Sequence, residues 1–84
     1  MATLREIRVS RLLSIRALAE LAGVSPFTVV EVEARRRRPR YSTMGHLAVA
    51  LGVEPTEVDE FREALEMAAR GAERNQVEEG QHVD

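Results

Sequence analysis

The apolar residues of this chain recur in short stretches at steps of three and four, and polar or glycine-containing breaks separate the stretches. That spacing places apolar side chains on one face of an α-helix and predicts a series of amphipathic helices. We therefore expect an all-α fold with five helices, which run from Leu4 to Leu12, Ile15 to Leu21, Pro26 to Ala34 and Thr43 to Leu51, and from near Pro55 onward.

Capping residues mark where several of these helices begin and end. Thr3 and Glu6 form a capping-box pattern, in which each side chain binds a free backbone N–H at the helix start. Ser14 and Ser42 precede the second and fourth helices, where a hydroxyl can act as a cap, and Gly52 ends the fourth. The residues predicted to face the core are Leu4, Ile7, the aliphatic stem of Arg11, Leu18, Ala19, Val29, Val32, Leu47, Ala50, Leu51 and Val53.

A short break between the second and third helices predicts a tight turn. Ala19 is small where the third helix must cross the second, and Gly23 can take the left-handed conformation that such a turn demands. Ser25 can cap the third helix, and Pro26 stands at its first position, where a missing N–H costs nothing. Two short helices joined in this way are the arrangement of a DNA-binding helix-turn-helix.

Charge is divided unevenly along the chain, although the net charge at pH 7 is only −2. Residues 1–40 carry nine arginines and four glutamates, a charge of +5, whereas residues 41–84 carry −7. Five arginines follow the third helix within six residues. One interpretation of this run is a solvated loop that keeps the protein soluble. Because the run directly follows the predicted helix-turn-helix, we favour contact with DNA phosphates.

Length and composition argue against several classes of protein. Eighty-four residues make at most one domain, with no room for an enzyme cleft, and without cysteine there is neither a disulfide nor a thiolate metal site. His46 and His82 have no partners at metal-ligand spacing. No stretch has the roughly 18 apolar residues of a membrane span, and the N-terminus lacks the apolar core of a signal peptide. We expect a soluble, cytoplasmic protein that is not an enzyme and needs no metal, cofactor or small-molecule ligand.

Eleven residues between Leu13 and Glu33 stand at the fixed spacing of a helix-turn-helix motif. They resemble the motif of the Xre-type helix-turn-helix family, which includes the DNA-binding domains of lambda Cro and lambda repressor, and the resemblance covers about Leu4 to Val58. The family pattern is similar to L-S-x-x-x-L-A-x-x-x-G-V-S-x-x-T-[IV]-x-x-[IV]-E. The resemblance implies a compact five-helix bundle whose third helix lies in the major groove of duplex DNA, usually in a dimeric transcription regulator. The alternative is a protein-interaction module, such as an antitoxin or accessory subunit. The matching residues are Leu13, Ser14, Leu18, Ala19, Gly23, Val24, Ser25, Thr28, Val29, Val32 and Glu33.

The candidate DNA contacts lie on the outer face of the third helix and in the arginine run. Pro26, Phe27, Val30 and Glu31 point away from the predicted core, but they include no Arg, Asn or Gln for bidentate contacts to bases. Apolar groups can contact thymine methyls, and Glu31 can accept from a cytosine amino group. We expect Glu33 to be structural and to orient an arginine or a backbone N–H. The candidate DNA contacts are Arg16, Ser25, Pro26, Phe27, Thr28, Val30, Glu31, Arg35, Arg36, Arg37, Arg38 and Arg40.

The last helix carries an apolar stripe that is longer than a five-helix core needs. Its residues recur at steps of 3, 4, 3 and 4, the spacing of a coiled-coil seam. We expect the stripe to mediate a homodimer, and the alternative is that the helix folds back on its own domain in a monomer. Residues 1–73 then form the DNA-binding domain, and residues 74–84 are predicted to be an acidic, disordered tail. The stripe consists of Val58, Phe61, Leu65, Ala68 and Ala72.

Overall fold

A computed structural model describes residues 2–74, and the side chains of residues 2–71. Within this range the fold is all-α, as predicted, and no helix is long and apolar enough to cross a membrane. The predicted tail lies outside the described residues, except for Arg74, which is the last residue of the last helix. The elements are α1 (Leu4–Ser10), α2 (Ile15–Ala22), α3 (Pro26–Glu33), α4 (Tyr41–Leu51), a 3-10 turn (Pro55–Glu57) and α5 (Asp59–Arg74).

One hydrophobic core lies between the helices, and all five α-helices contribute to it. In α4, Leu47 and Leu51 are buried as predicted, and Met44 lies with them because it is one turn earlier on the same face. Ala50 and Val53, predicted to be in the core, are half-buried and pack against it. The largest fully buried side chains are Leu4, Leu18, Val29, Val32, Leu47, Val58 and Phe61.

Helix α1 differs from the prediction at its C-terminal end. It stops at Ser10 because Leu12 has a φ of +60°, a left-handed conformation that cannot continue a right-handed helix. Arg8 is the buried arginine of this helix, whereas Arg11 is exposed and its Nε donates to the carbonyl of Leu51 at 3.1 Å. The prediction that the stem of Arg11 lies in the core is therefore wrong.

Side-chain caps begin three of the helices but not α4. Thr3 caps α1 in a capping box, and Ser14 Oγ accepts from the N–H of Ala17 at 3.0 Å, as predicted. Helix α4 starts at Tyr41, and its N-cap Arg40 makes no side-chain capping bond. Ser42 therefore lies inside the first turn, and the prediction that it caps the helix is wrong.

The N-terminal segment is tied to the start of α5. Ala2 and Val58 form a parallel bridge, in which the N–H of Asp59 donates to the carbonyl of Ala2 at 2.8 Å. Beside it, the N–H of Leu4 donates to Oε1 of Glu60 at 2.8 Å, and Glu60 is only 5% exposed. A carboxylate of α5 therefore satisfies a free N–H at the start of α1, and these contacts hold α5 against the bundle.

As a result, Val58 and the first turn of α5 contribute to the core. Val58 and Phe61 are fully buried within their own domain, so these two residues of the predicted dimerisation stripe follow the alternative, in which the helix folds back, and are not available to a second copy. Leu65 and Ala68 are half-buried. The side chain of Ala72 lies outside the described residues.

Candidate nucleic-acid interface

The turn between α2 and α3 has the geometry predicted from its sequence. Gly23 adopts a φ of +74°, where an L side chain would be strained, and the N–H of Val24 donates to the carbonyl of Ala19 at 3.0 Å. Ser25 Oγ accepts from the N–H of Thr28 at 3.1 Å and caps α3. The turn packs one face of α3 against the bundle and leaves the other toward solvent.

The outer face of α3 is apolar at its N-terminal end. Pro26 is exposed, and Phe27 is 62% exposed. Val30 is half-buried and lies three residues after Phe27, so the two side chains share a face. Thr28 Oγ1 lies 3.1 Å from Ser25 Oγ, and the two hydroxyls bind each other. The large side chains that this end of the helix presents to solvent are therefore hydrocarbon.

Glu31 was predicted to be exposed on this face, and that prediction is wrong. Only 16% of its side chain is exposed, and Oε2 accepts from Nε of Arg36 at 3.1 Å. The backbone N–H of Arg36 also donates to the carbonyl of Glu31 at 3.0 Å, because the chain turns back after α3. The arginine thus offsets the negative charge that the glutamate would otherwise place on this face of α3.

Arg35 makes the turn after α3 and points toward α5. Its φ is +57°, and its guanidinium binds Glu63 through two hydrogen bonds, Nε to Oε1 at 3.1 Å and Nη2 to Oε2 at 3.2 Å. These bonds lower the pKa of the Glu63 carboxyl and raise the pKa of Arg35. Arg35 was predicted to contact DNA, yet its guanidinium is occupied by a carboxylate of its own chain.

Three arginines of the run have a different setting. Arg37, Arg38 and Arg40 are exposed, and none of the ion pairs formed by residues 2–71 includes them. Together with Thr28 and Thr43, they line an open cleft of about 330 Å³, which we call the arginine cleft. Guanidinium groups and hydroxyls on a concave surface are suited to binding a phosphate.

The backbone around the arginine cleft adds to its positive character. Pro39 is buried and fixes the chain between the arginines and α4. The uncapped N-terminus of α4 begins directly after Arg40. First-turn N–H groups of a helix carry partial positive charge and favour an anion nearby.

Arg16 is a separate candidate. It is exposed in the first turn of α2 and does not line the arginine cleft. The preceding residue, Ile15, packs against the core. Any contact of Arg16 with DNA would therefore be made apart from the cleft.

Sequence reasoning missed two features of this region. Glu33 binds an arginine, as expected, but the arginine is Arg8, with Nε to Oε2 at 2.7 Å and Nη2 to Oε1 at 3.2 Å. Arg8 also donates to the carbonyl of Leu13 at 2.8 Å, so this buried ion pair joins α1 to the end of α3. Thr43 was also missed as a lining residue. A hydroxyl three residues after the last arginine is the signal that could have identified it.

The described residues contain no group of three or more His, Asp or Glu that could hold a metal ion. His46 is exposed on α4.

The fold and the α2–α3 turn define a helix-turn-helix protein. A family model described as a helix-turn-helix domain matches residues 2–61. The chain belongs to this helix-turn-helix domain family.

The chain is similar to a solved structure, the clp gene regulator ClgR from Corynebacterium glutamicum. The two are 27% identical with a TM-score of 0.63, and the likeness covers 96% of this chain and 87% of the other. No curated protein sequence matches the chain.

Proposed function

We propose that this protein is a transcription regulator that binds duplex DNA, with α3 in the major groove and the arginine cleft on the phosphate backbone. The observation that carries the proposal is the position of Thr28. It belongs to α3 and also lines the arginine cleft, so a phosphate site adjoins the helix that would enter the groove. Membership of the helix-turn-helix family and the likeness to a gene regulator support the same function.

The arginines have different roles in this proposal. Arg37, Arg38 and Arg40 neutralise phosphates, which supplies affinity without sequence preference. Arg36 neutralises the carboxylate of Glu31, and Arg35 joins the loop to α5. Arg16 adds a phosphate contact at the start of α2.

The salt dependence of duplex binding tests this function. Replacing Arg37 and Arg38 by Ala should weaken binding to every duplex by a similar factor and flatten the slope of log K against log salt by about two units. Replacement of Arg5 and Arg70 by Ala removes the same charge from exposed positions outside the cleft and should leave the slope nearly unchanged. Equal slopes in the two variants would contradict the assignment of the cleft.

An exposed phenylalanine on α3 also favours the second candidate function, a protein-interaction module. Recognition of a protein by this apolar face would not show the steep salt dependence that phosphate neutralisation causes. Absence of salt-dependent duplex binding by the wild-type protein would therefore favour the module.

The regulator is proposed to act as a homodimer, since two domains read two half-sites about one helical turn apart. With Val58 and Phe61 in the core, the available surface on α5 is its middle, where Leu65 and Ala68 are half-buried. Leu65→Glu combined with Ala68→Glu should give a monomer in sedimentation experiments. Ala69→Glu, at an exposed position of the same helix, should leave the dimer intact. A dimer that survives the double substitution would contradict this interface.

A further inference from the structure

Near the N-terminal end of α3, the polar side chains on the outer face already have partners within the chain. The Glu31 carboxylate binds Arg36, and the hydroxyl of Thr28 binds that of Ser25. The large groups facing solvent there are the rings and methyls of Pro26, Phe27 and Val30. This is the part of a recognition helix that reaches base edges when the helix enters the major groove.

The chemistry of the major groove limits what such a face can read. Guanine, adenine and cytosine present hydrogen-bond donors and acceptors there, and thymine alone adds a methyl group. An exposed phenyl ring cannot replace the hydrogen bond that water makes with a base donor or acceptor, so it would leave that group poorly satisfied. Against a methyl group, the same ring buries apolar surface on both sides.

We propose that α3 reads duplex DNA mainly through contacts of Phe27 and Val30 with the 5-methyl groups of thymines. The inference rests on the proposed function and adds the chemical feature that is recognised. Phe27 is 62% exposed near the start of the helix. Val30, one turn later on the same face, is placed to contact the next base step. Arg36 supports this reading because it neutralises Glu31, which would otherwise favour a cytosine amino group.

Replacement of thymine by deoxyuridine removes only the methyl group and leaves base pairing and the other groove atoms in place. Burial of one such group changes affinity about fourfold. The probes are duplexes selected from a random pool by the full-length protein and then resynthesised with one thymine at a time replaced by deoxyuridine. We expect wild-type affinity to fall about fourfold at one or two positions in each half-site and to be unchanged elsewhere.

Variants of the protein assign the effect to residues. Phe27→Ala and Val30→Ala should each bind the thymine and deoxyuridine forms equally at one of the sensitive positions, while the salt slope stays as in wild type. Val49→Ala is the matched control, because Val49 is 81% exposed on α4 and lines no part of the arginine cleft. It should keep the full discrimination. Circular dichroism verifies that each variant is folded. The deoxyuridine series with the wild-type protein tests the methyl contacts without relying on any variant.

The outcomes separate this inference from the proposed function. Salt-dependent duplex binding with no deoxyuridine effect at any position would overturn the methyl reading and leave DNA binding standing. Discrimination that is unchanged in both Phe27→Ala and Val30→Ala would also overturn it, because another group would then contact the methyl. Absence of salt-dependent duplex binding would overturn the proposed function together with this inference.

Discussion

Both faces of α3 are largely apolar, but the core of the domain covers only the inner face. On the inner face, Val29 and Val32 are buried in the core, and Glu33 is fastened to Arg8. On the outer face, Phe27 is 62% exposed and does not belong to the hydrophobic core. A surface helix normally carries polar residues on its outer face. The fold therefore accounts for one half of α3, and the other half indicates a partner outside the domain.

The largest effect should come from placing a charge on the inner face. Val29→Asp would put an unpaired carboxylate at a fully buried position, and we expect it to abolish the cooperative thermal unfolding seen by circular dichroism. The same change at Val30, which is half-buried on the outer face, should leave the domain folded. A Val29→Asp protein with a wild-type midpoint would show that the faces of α3 are assigned wrongly.

The next largest effect on stability should come from breaking the Arg8–Glu33 ion pair, which joins α1 to the end of α3. Glu33→Ala leaves the guanidinium of Arg8 buried without its partner, so the free energy of unfolding in urea should fall by about 3–5 kcal/mol. The control is Glu20→Ala, at an exposed position of α2, which should change stability by less than about 0.5 kcal/mol.

A double substitution tests the cause of that loss. Arg8→Met combined with Glu33→Leu replaces both charges by apolar groups, an exchange that is often neutral for buried pairs. Most of the lost stability should return. If the double variant is as unstable as Glu33→Ala, the cost does not come from the unpaired arginine.

The smallest effect on stability should come from breaking the exposed ion pair between Arg35 and Glu63. Binding to Arg35 lowers the pKa of Glu63, so this pair stabilises the fold above the pH at which an unfolded glutamate titrates. The stabilisation is lost as the pH falls through the lowered pKa. We expect Glu63→Gln to lower the thermal midpoint slightly at neutral pH, by less than Glu33→Ala, and to match wild type in strong acid.

The reference for this measurement is Glu66→Gln, which changes an exposed carboxylate of the same helix. It should match wild type at both pH values. A deficit of Glu63→Gln that persists in strong acid would mean that the loss is not caused by the ion pair.

Features that depend on neighbours within a few residues could be predicted from the sequence. The left-handed Gly23 and the cap from Ser25 follow from atoms that lie three or four positions apart, so the turn and the order of the helices were correct. Helix periodicity also identified the buried valines of α3. The turn, the cap and the buried face of α3 could be predicted because each depends on the geometry of the local backbone.

Features that depend on distant partners could not be predicted. Arg8 lies inward because Glu33, 25 residues later, accepts its hydrogen bonds. Glu60 is buried because it binds the N–H of Leu4, 56 residues earlier. The position of the arginine run is visible in the sequence. Hydrophobic periodicity, however, does not indicate which of its arginines form ion pairs with carboxylates of other helices.

The buried ion pair between Arg8 and Glu33 constrains how this domain can evolve. Substitution of either residue alone leaves an unpaired charge in the interior. A protein that carries only one of the two substitutions would therefore be unstable. The two positions should therefore covary among descendants, changing together or not at all. Arg37, Arg38 and Arg40 are exposed and can be exchanged one at a time, so the DNA affinity that we propose they supply can change gradually while the Arg8–Glu33 pair is inherited as a unit.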